Sequence, residues 1–163
     1  MIRAIEKQDV GKAREIWNEV VDAKNAFPQI IGLKDDEEAE NFFSSQTYTG
    51  VSVDDDSGEV AGLYILHPNN IGRCGHIANA SYAVSSKFRN RHIGESLVRD
   101  SLKQGRLHGF RILQFNAVVA DNFSAIHLYE KIGFKLIGTV KDGYFTDDCY
   151  KDINLYYINL LNY

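Results

Sequence analysis

The chain has 163 residues, 44% hydrophobic and 25% charged, which fits one ordinary globular domain over residues 1–163 with a sizeable core. A net charge of −4 provides no global positive field for nucleic acid or an anionic membrane. No apolar run approaches the ~20 residues of a membrane span, the N-terminus lacks a signal-peptide pattern, and Cys74 and Cys149 form neither a metal spacing nor a disulfide framework, so a cytoplasmic protein with two free thiols and no metal is expected.

Ile2 to Glu6 alternates apolar and polar side chains, as a first strand does. Asp9 is the expected N-cap of a helix from Val10 to about Ala23, with Val10, Ala13, Ile16, Trp17, Val20 and Val21 as its apolar stripe. Trp17 is read as core. Phe27-Pro28 breaks the helix, and Asp35 to Glu38 is an acidic first turn for a second helix carrying Ala39, Phe42 and Phe43. Tyr48 to Val53 and Val60 to Leu66 read as strands joined by the turn Asp54-Asp55-Asp56-Ser57-Gly58, which lacks the spacing of a calcium loop.

His76 to Val84 is the next strand. Ile77, Asn79, Ser81 and Ala83 share one side; His76, Ala78, Ala80, Tyr82 and Val84 share the other. Small residues on both sides suit either a ligand groove or a closely packed helix. A basic turn follows, then a helix to about Leu107 with Ile93, Leu97, Val98 and Leu102 inward and a stop at His108-Gly109. Arg111 to Val119 is a strand, Asn122 to Ile132 a helix ended at Gly133, and Phe134 to Val140 with Cys149 to Leu160 a final antiparallel pair, its connection starting at Asp142-Gly143. Antiparallel strands first and strand–helix alternation later argue for an α+β fold, a mixed and mostly antiparallel sheet with helices on both faces.

The basic turn carries the first chemical signal. Arg89, Asn90, Arg91, His92, Ile93, Gly94 and Glu95 bring backbone N–H groups into a helix N-terminus, where the dipole and the arginine donors favour a phosphate or pyrophosphate. A second stretch follows about thirty residues on: Asn122-Phe123-Ser124-Ala125-Ile126-His127-Leu128-Tyr129-Glu130-Lys131-Ile132-Gly133-Phe134. The pair resembles the GNAT (GCN5-related) N-acetyltransferases, over roughly residues 76–140. That family's pyrophosphate loop reads Arg/Gln-x-x-Gly-x-Gly/Ala. Here Gly94 keeps the second glycine position and His92 occupies the first. The pattern Asn-x-x-Ala-x-x-Leu-Tyr-x-Lys-x-Gly-Phe is matched in full by Asn122, Ala125, Leu128, Tyr129, Lys131, Gly133 and Phe134.

The resemblance implies the GNAT fold, acetyl-CoA as cosubstrate, and transfer of acetyl to a primary or secondary amine by direct attack on the thioester. It implies that residues 89–95 hold the pyrophosphate and that backbone groups around Tyr82 to Val84 pair with the pantetheine arm. Asn122 has two readings, a contact to that arm and a helix N-cap. Tyr129 is implied as the acid that protonates the leaving thiolate. His92 stands where a glycine would permit positive φ; histidine tolerates that conformation better than most residues and can offer an imidazole N–H to phosphate.

The general base stays open. His76, Glu95 and His127 qualify by type only, and a water chain would also serve. Pro68 to Asn79 is similar to a segment of fungal N-acetyltransferases that act on proline analogues, which implies that Asn79 contacts the acceptor. Tyr144, Phe145 and Tyr150 either wall the pocket or pack. The acceptor is expected to be a small-molecule amine: an amino acid, an amino-acid analogue or an amine toxin. A protein N-terminus as acceptor, and a non-catalytic acyl-CoA sensor, are the alternatives. The resemblance also leaves room for a homodimer.

Overall fold

Seven strands form one sheet in the computed structural model, which describes residues 1–163. In chain order they are β1 (Ile2–Ala4), β2 (Tyr48–Val53), β3 (Val60–Pro68), β4 (Ile77–Val84), β5 (Ile112–Val119), β6 (Lys135–Thr146) and β7 (Cys149–Asn159). Four helices accompany them: α1 (Val10–Ala23), α2 (Asp36–Ser44), α3 (Ile93–Leu107) and α4 (Phe123–Ile132). The spatial order is β1-β2-β3-β4-β5-β7-β6, and only β4 and β5 run parallel. The α+β class and the expected element order hold. No helix is long and apolar enough to cross a membrane.

Strand alternation divides the core into two layers. On β3, Leu63 and Ile65 join Val10, Ile16, Trp17 and Val21 of α1 and Phe43 of α2. Tyr64 and Leu66 face the other way, onto Leu97, Val98 and Leu102 of α3 and Ile132 beyond. Helices therefore cover both faces, which is why β3 is buried from Val60 to Leu66. On β4, Ala78 and Ala80 pack in the α3 layer and Ala83 in the α1 layer, so part of the small-residue pattern serves close packing. Trp17 is a core residue, as expected, with the Phe27 ring tilted against it at 4.4 Å between centroids.

Helix α3 is held tightly to the sheet. A Cβ on Gly62 would meet the Ala83 carbonyl at 2.9 Å and Leu97 at 3.1 Å, so only glycine lets the helix approach this closely. One turn further on, the buried Tyr64 hydroxyl donates to the Asp100 carboxylate at 2.6 Å. Burial, and then that bond, push the Tyr64 phenol far above its ordinary value, so it remains a donor. These contacts fix where the N-terminus of α3 points.

Two sequence expectations are corrected. Asp9 does not cap α1: it adopts αR backbone with no cap bond, and its carboxylate accepts from the Glu6 N–H at 2.8 Å and from Arg3 at 2.6 Å. A short 3-10 turn (Lys7–Asp9) precedes the helix and takes the carboxylate for itself. The last hairpin is also longer than expected. Asp142 and Gly143 form a bulge inside β6 rather than a turn, and the strand continues to Thr146. The reversal falls at Asp147-Asp148, both with positive φ (45° and 60°), as a two-residue hairpin requires.

The Tyr64–Asp100 bond gives a direct test of how α3 is anchored. Asp100→Ala should cost about 1–3 kcal/mol by leaving a buried phenol without its acceptor, and adding Tyr64→Phe should recover part of that loss. Urea unfolding of the single and double variants measures both. A cost below about 0.5 kcal/mol for Asp100→Ala would show that the bond does not anchor the helix.

Candidate active site

The sheet opens between its two parallel strands. β4 and β5 pair only at Ile77 with Ile112 and Ala78 with Leu113, and then diverge. The His76 carbonyl accepts from the Arg111 N–H at 2.9 Å, toward β5. Strand alternation then aims the N–H and C=O groups of Ala80, Tyr82 and Val84 into the gap. The first of these is satisfied locally: the Ala80 N–H donates to Asn79 Oδ1 at 2.8 Å. The Asn79 Nδ2 makes no bond within the chain. On its other edge β5 stays paired with β7, with a bulge between Phe115 and Val118 that breaks its alternation.

The gap becomes a cleft of about 920 Å³. Val84, Asn79 and Ser81 line it from β4, Phe115 to Val119 from β5, and Ala26 to Pro28 from the connection after α1. At its other end lie residues 89–95 and the α4 face that carries Leu128 and Tyr129. Its lining includes Asn79, Val84, Arg89 to Glu95, Asn122 and Tyr129.

The basic turn is an array of backbone donors. Asn90 and His92 both have left-handed φ, 62° and 57°, so His92 adopts the conformation that its position requires. Each costs a fraction of the ~1–2 kcal/mol that such backbone costs a bulkier residue. The first bond of α3 runs from the Ser96 N–H to the His92 carbonyl at 3.1 Å, and no backbone N–H from Arg89 through Glu95 is bonded within the chain. His92 does not use its side chain as a cap. This is a run of free amides at a helix N-terminus, the arrangement that binds anions. A Cβ added to Gly94 would lie 3.8 Å from Leu128 and 3.9 Å from Val84, inside the cleft.

The side-chain charge is largely committed elsewhere. Arg91 donates to Asp54 in the β2–β3 turn at 3.0 Å and lies over the Phe88 ring, and Lys87 pairs with Glu59 at 2.8 Å. Only Arg89 of the two arginines expected as anion donors forms no ion pair. Glu95 joins the two helices at the cleft, accepting from Lys131 of α4 at 2.7 Å and Arg99 of α3 at 2.8 Å. Those two bonds, Lys131 first, hold its carboxyl down at about 2. A carboxylate that acidic and doubly bonded is a poor proton acceptor, which removes it from the base candidates. His76 is exposed and lies outside the cleft lining; His127 lines it from an exposed position on α4.

Tyr129 is packed against Phe115 at 4.5 Å and Phe134 at 5.5 Å between ring centroids. Burial raises its phenol above the ordinary value, so the proton stays on the oxygen at neutral pH. No buried side-chain polar atom lacks a partner, and the Tyr129 hydroxyl has none within the chain, so it opens onto the cleft. Asn122 caps α4, its Oδ1 accepting weakly from the Ala125 N–H at 3.4 Å, while its Nδ2 is free of bonds within the chain. Tyr144 packs: it is buried, donates to the Phe27 carbonyl, and is absent from the lining. Phe145 and Tyr150 are exposed and touch each other across the hairpin.

Sequence reasoning missed the β5 wall and the Lys131–Glu95–Arg99 cluster. The first left a trace: inward residues Leu113, Phe115 and Val118 change spacing from two to three, which marks a bulge. The second joins residues on separate helices, for which spacing gives no signal.

The Glu95 cluster sets a pH dependence. Its folded value lies below the ~4.3 of an unfolded glutamate, so its contribution to stability is present above that value and is lost as pH falls from about 4.3 to about 2. Thermal melts between pH 7 and about 2 should therefore show a shallower acid decline for Glu95→Gln than for the wild type. Parallel acid limbs in the two proteins would refute the bonded carboxylate.

Comparison with known proteins agrees with this geometry. The sequence pattern of the acetyltransferase (GNAT) family matches residues 14–134. The chain is 37% identical over 81 residues to the N-acetyltransferase aca1 of Schizosaccharomyces pombe, covering 50% of this chain and 39% of that protein. It is 29% identical over 85 residues to the L-amino acid N-acetyltransferase AaaT of Escherichia coli, covering 52% of each. The chain thus spans about half or less of the curated relatives that it matches. A GCN5-related N-acetyltransferase from Kribbella flavida superposes with a TM-score of 0.88 at 30% identity, covering 98% of this chain and 96% of that one. The chain belongs to the GNAT family of acetyltransferases, whose cosubstrate is acetyl-CoA.

Proposed function

We propose that this chain transfers the acetyl group of acetyl-CoA to the amine of a small molecule, an amino acid, an amino-acid analogue or an amine toxin. One observation carries the reading: free amides from Arg89 through Glu95 and a partnerless Tyr129 hydroxyl open onto the same gap between diverging strands. The acceptor class is supported by the Escherichia coli relative, an L-amino acid N-acetyltransferase.

The residues present fit acetyl-CoA. The amides of 89–95, with Arg89, suit a pyrophosphate. The bare Gly94 lets a ligand lie against the helix between Val84 and Leu128. The open groups of Tyr82 and Val84, with Asn122 Nδ2, suit the amides of the pantetheine arm. A cleft of about 920 Å³ is large enough for such a ligand. When bound, acetyl-CoA supplies an activated acyl carbon and a sulfur leaving group.

The chain's own residues do the rest. Tyr129, its ring packed among aromatic side chains, holds a proton at the hydroxyl oxygen that faces the cleft, where a departing sulfur can take it. Asn79 Nδ2 offers a neutral donor to the acceptor, its Oδ1 being fixed on Ala80 so that the amide plane cannot turn. No carboxylate lies beside Asn79 in the cleft, so the acceptor amine gives up its proton to His127, which lines the cleft, or through a water chain.

Thiol release from acetyl-CoA against a panel of amino acids, proline analogues, other small amines and peptides tests the reading. Release with small amines and not with peptides is expected; release with peptides alone would overturn the acceptor class, and binding without release would overturn the activity. Tyr129→Phe should lower kcat by about 100-fold or more while the acetyl-CoA Kd stays within about threefold. Unchanged turnover with every acceptor would reject Tyr129 as the acid. Gly94→Val should weaken acetyl-CoA binding about tenfold or more without lowering Tm, since it fills ligand space rather than core. Unchanged affinity would place the ligand elsewhere.

A further inference from the structure

The connection between α1 and α2, residues 24–35, has no regular structure of its own, yet Ala26, Phe27 and Pro28 form part of the cleft wall. Its far end is clamped by Asn18 of α1, whose Nδ2 donates to the Leu33 carbonyl at 2.8 Å and whose Oδ1 accepts the Leu33 N–H at 2.7 Å. Its near end is held by the opposite end of the chain. The Tyr144 hydroxyl donates to the Phe27 carbonyl at 2.8 Å, and the Thr146 hydroxyl donates to the Lys24 carbonyl at 2.8 Å. The Phe27 ring meanwhile sits on Trp17 in the core.

These two donors exist because β6 changes course. From Lys135 to Gly143 no β6 side chain is buried; Tyr144 and Thr146 are. Between the pairs Val140–Ile153 and Tyr144–Lys151, β6 carries two more residues than β7, and the Asp142 N–H of that bulge donates to Asp152 at 3.0 Å. The bulge swings the hairpin tip inward until Tyr144 reaches the loop. Burial keeps the Tyr144 phenol above its ordinary value, so it stays a donor.

We propose that Tyr144 is a positioning residue for the acceptor: by holding the Phe27 carbonyl it fixes the Ala26–Pro28 wall that shares the cleft with Asn79 and Ser81, and so sets acceptor affinity without touching acetyl-CoA. The proposal rests on the transferase reading above. It assigns the bulged β6–β7 hairpin a task in the reaction rather than in the sheet alone. Residues 89–95 and Tyr129 stand on α3, α4 and the turn before α3; the hairpin's tie toward them is Lys151 to Asp121 at 2.6 Å, just before the α4 cap, and removing the Tyr144 hydroxyl leaves that pair in place.

Tyr144→Phe keeps the ring and removes only the donor. Its acceptor KM should rise about five- to tenfold, with kcat and the acetyl-CoA Kd within about twofold of the wild type. Thr146→Val, which cuts the neighbouring tie, should move the same quantities in the same direction. A lower kcat at unmoved acceptor KM, or a parallel rise in the acetyl-CoA Kd, would reduce the bond to general stability and overturn the proposal. Wild-type turnover with an unmoved acceptor KM in both variants would overturn it alone. A wild type that releases no thiol with any acceptor would overturn the transferase reading and this proposal together.

Discussion

The early parting of β4 from β5 is the constraint on which the rest depends. Two parallel strands that pair at only two positions leave backbone donors and acceptors facing each other across space. A buried polar backbone group without a partner is costly, so such a gap persists only where something satisfies or solvates it. Part of the satisfaction is internal: Asn79 takes the Ala80 N–H at the point of divergence. The remainder is the cleft. The helices on the same side are arranged to keep it open, α3 pinned by Gly62 and by the Tyr64–Asp100 bond, and α4 by the aromatic cluster around Tyr129.

Electrostatics in the cleft is more backbone than side chain. The sequence offers a run of basic residues in the turn, but Lys87 and Arg91 are paired with carboxylates of the β2–β3 hairpin, and Lys131 and Arg99 share Glu95. What is left for a ligand is the amide array, the helix dipole and Arg89. Such a site selects by shape and direction, because fixed N–H groups bind an anion only where their bonds converge. The paired cations do a second job: they hold the walls, one pair tying the turn to β2–β3 and the other tying α3 to α4.

The sequence made local features legible and left distant ones dark. The acidic first turn of α2, the glycine stops at Gly109 and Gly133, and the left-handed His92 follow from side-chain chemistry acting within a few residues. So does the alternation that separates Asn79 and Ser81 from Ala78 and Ala80. Asp9 was misread because a carboxylate before a helix can serve either the helix or the turn ahead of it, and Arg3 tips the choice. Asp142-Gly143 looks like a reversal and becomes a bulge because Tyr144 finds a buried acceptor in Phe27, far away in the chain. The divergence of β4 and β5 carries no local mark on β4.

The most direct test is to follow amide NMR shifts while acetyl-CoA is added to the wild-type protein. If the gap and its amide array form the cofactor site, saturable changes should be largest at Asn90 through Glu95 and at Tyr82 and Val84, with the exposed edge strand β6 unaffected. Changes centred on β6, or no saturable change at millimolar acetyl-CoA, would contradict the account.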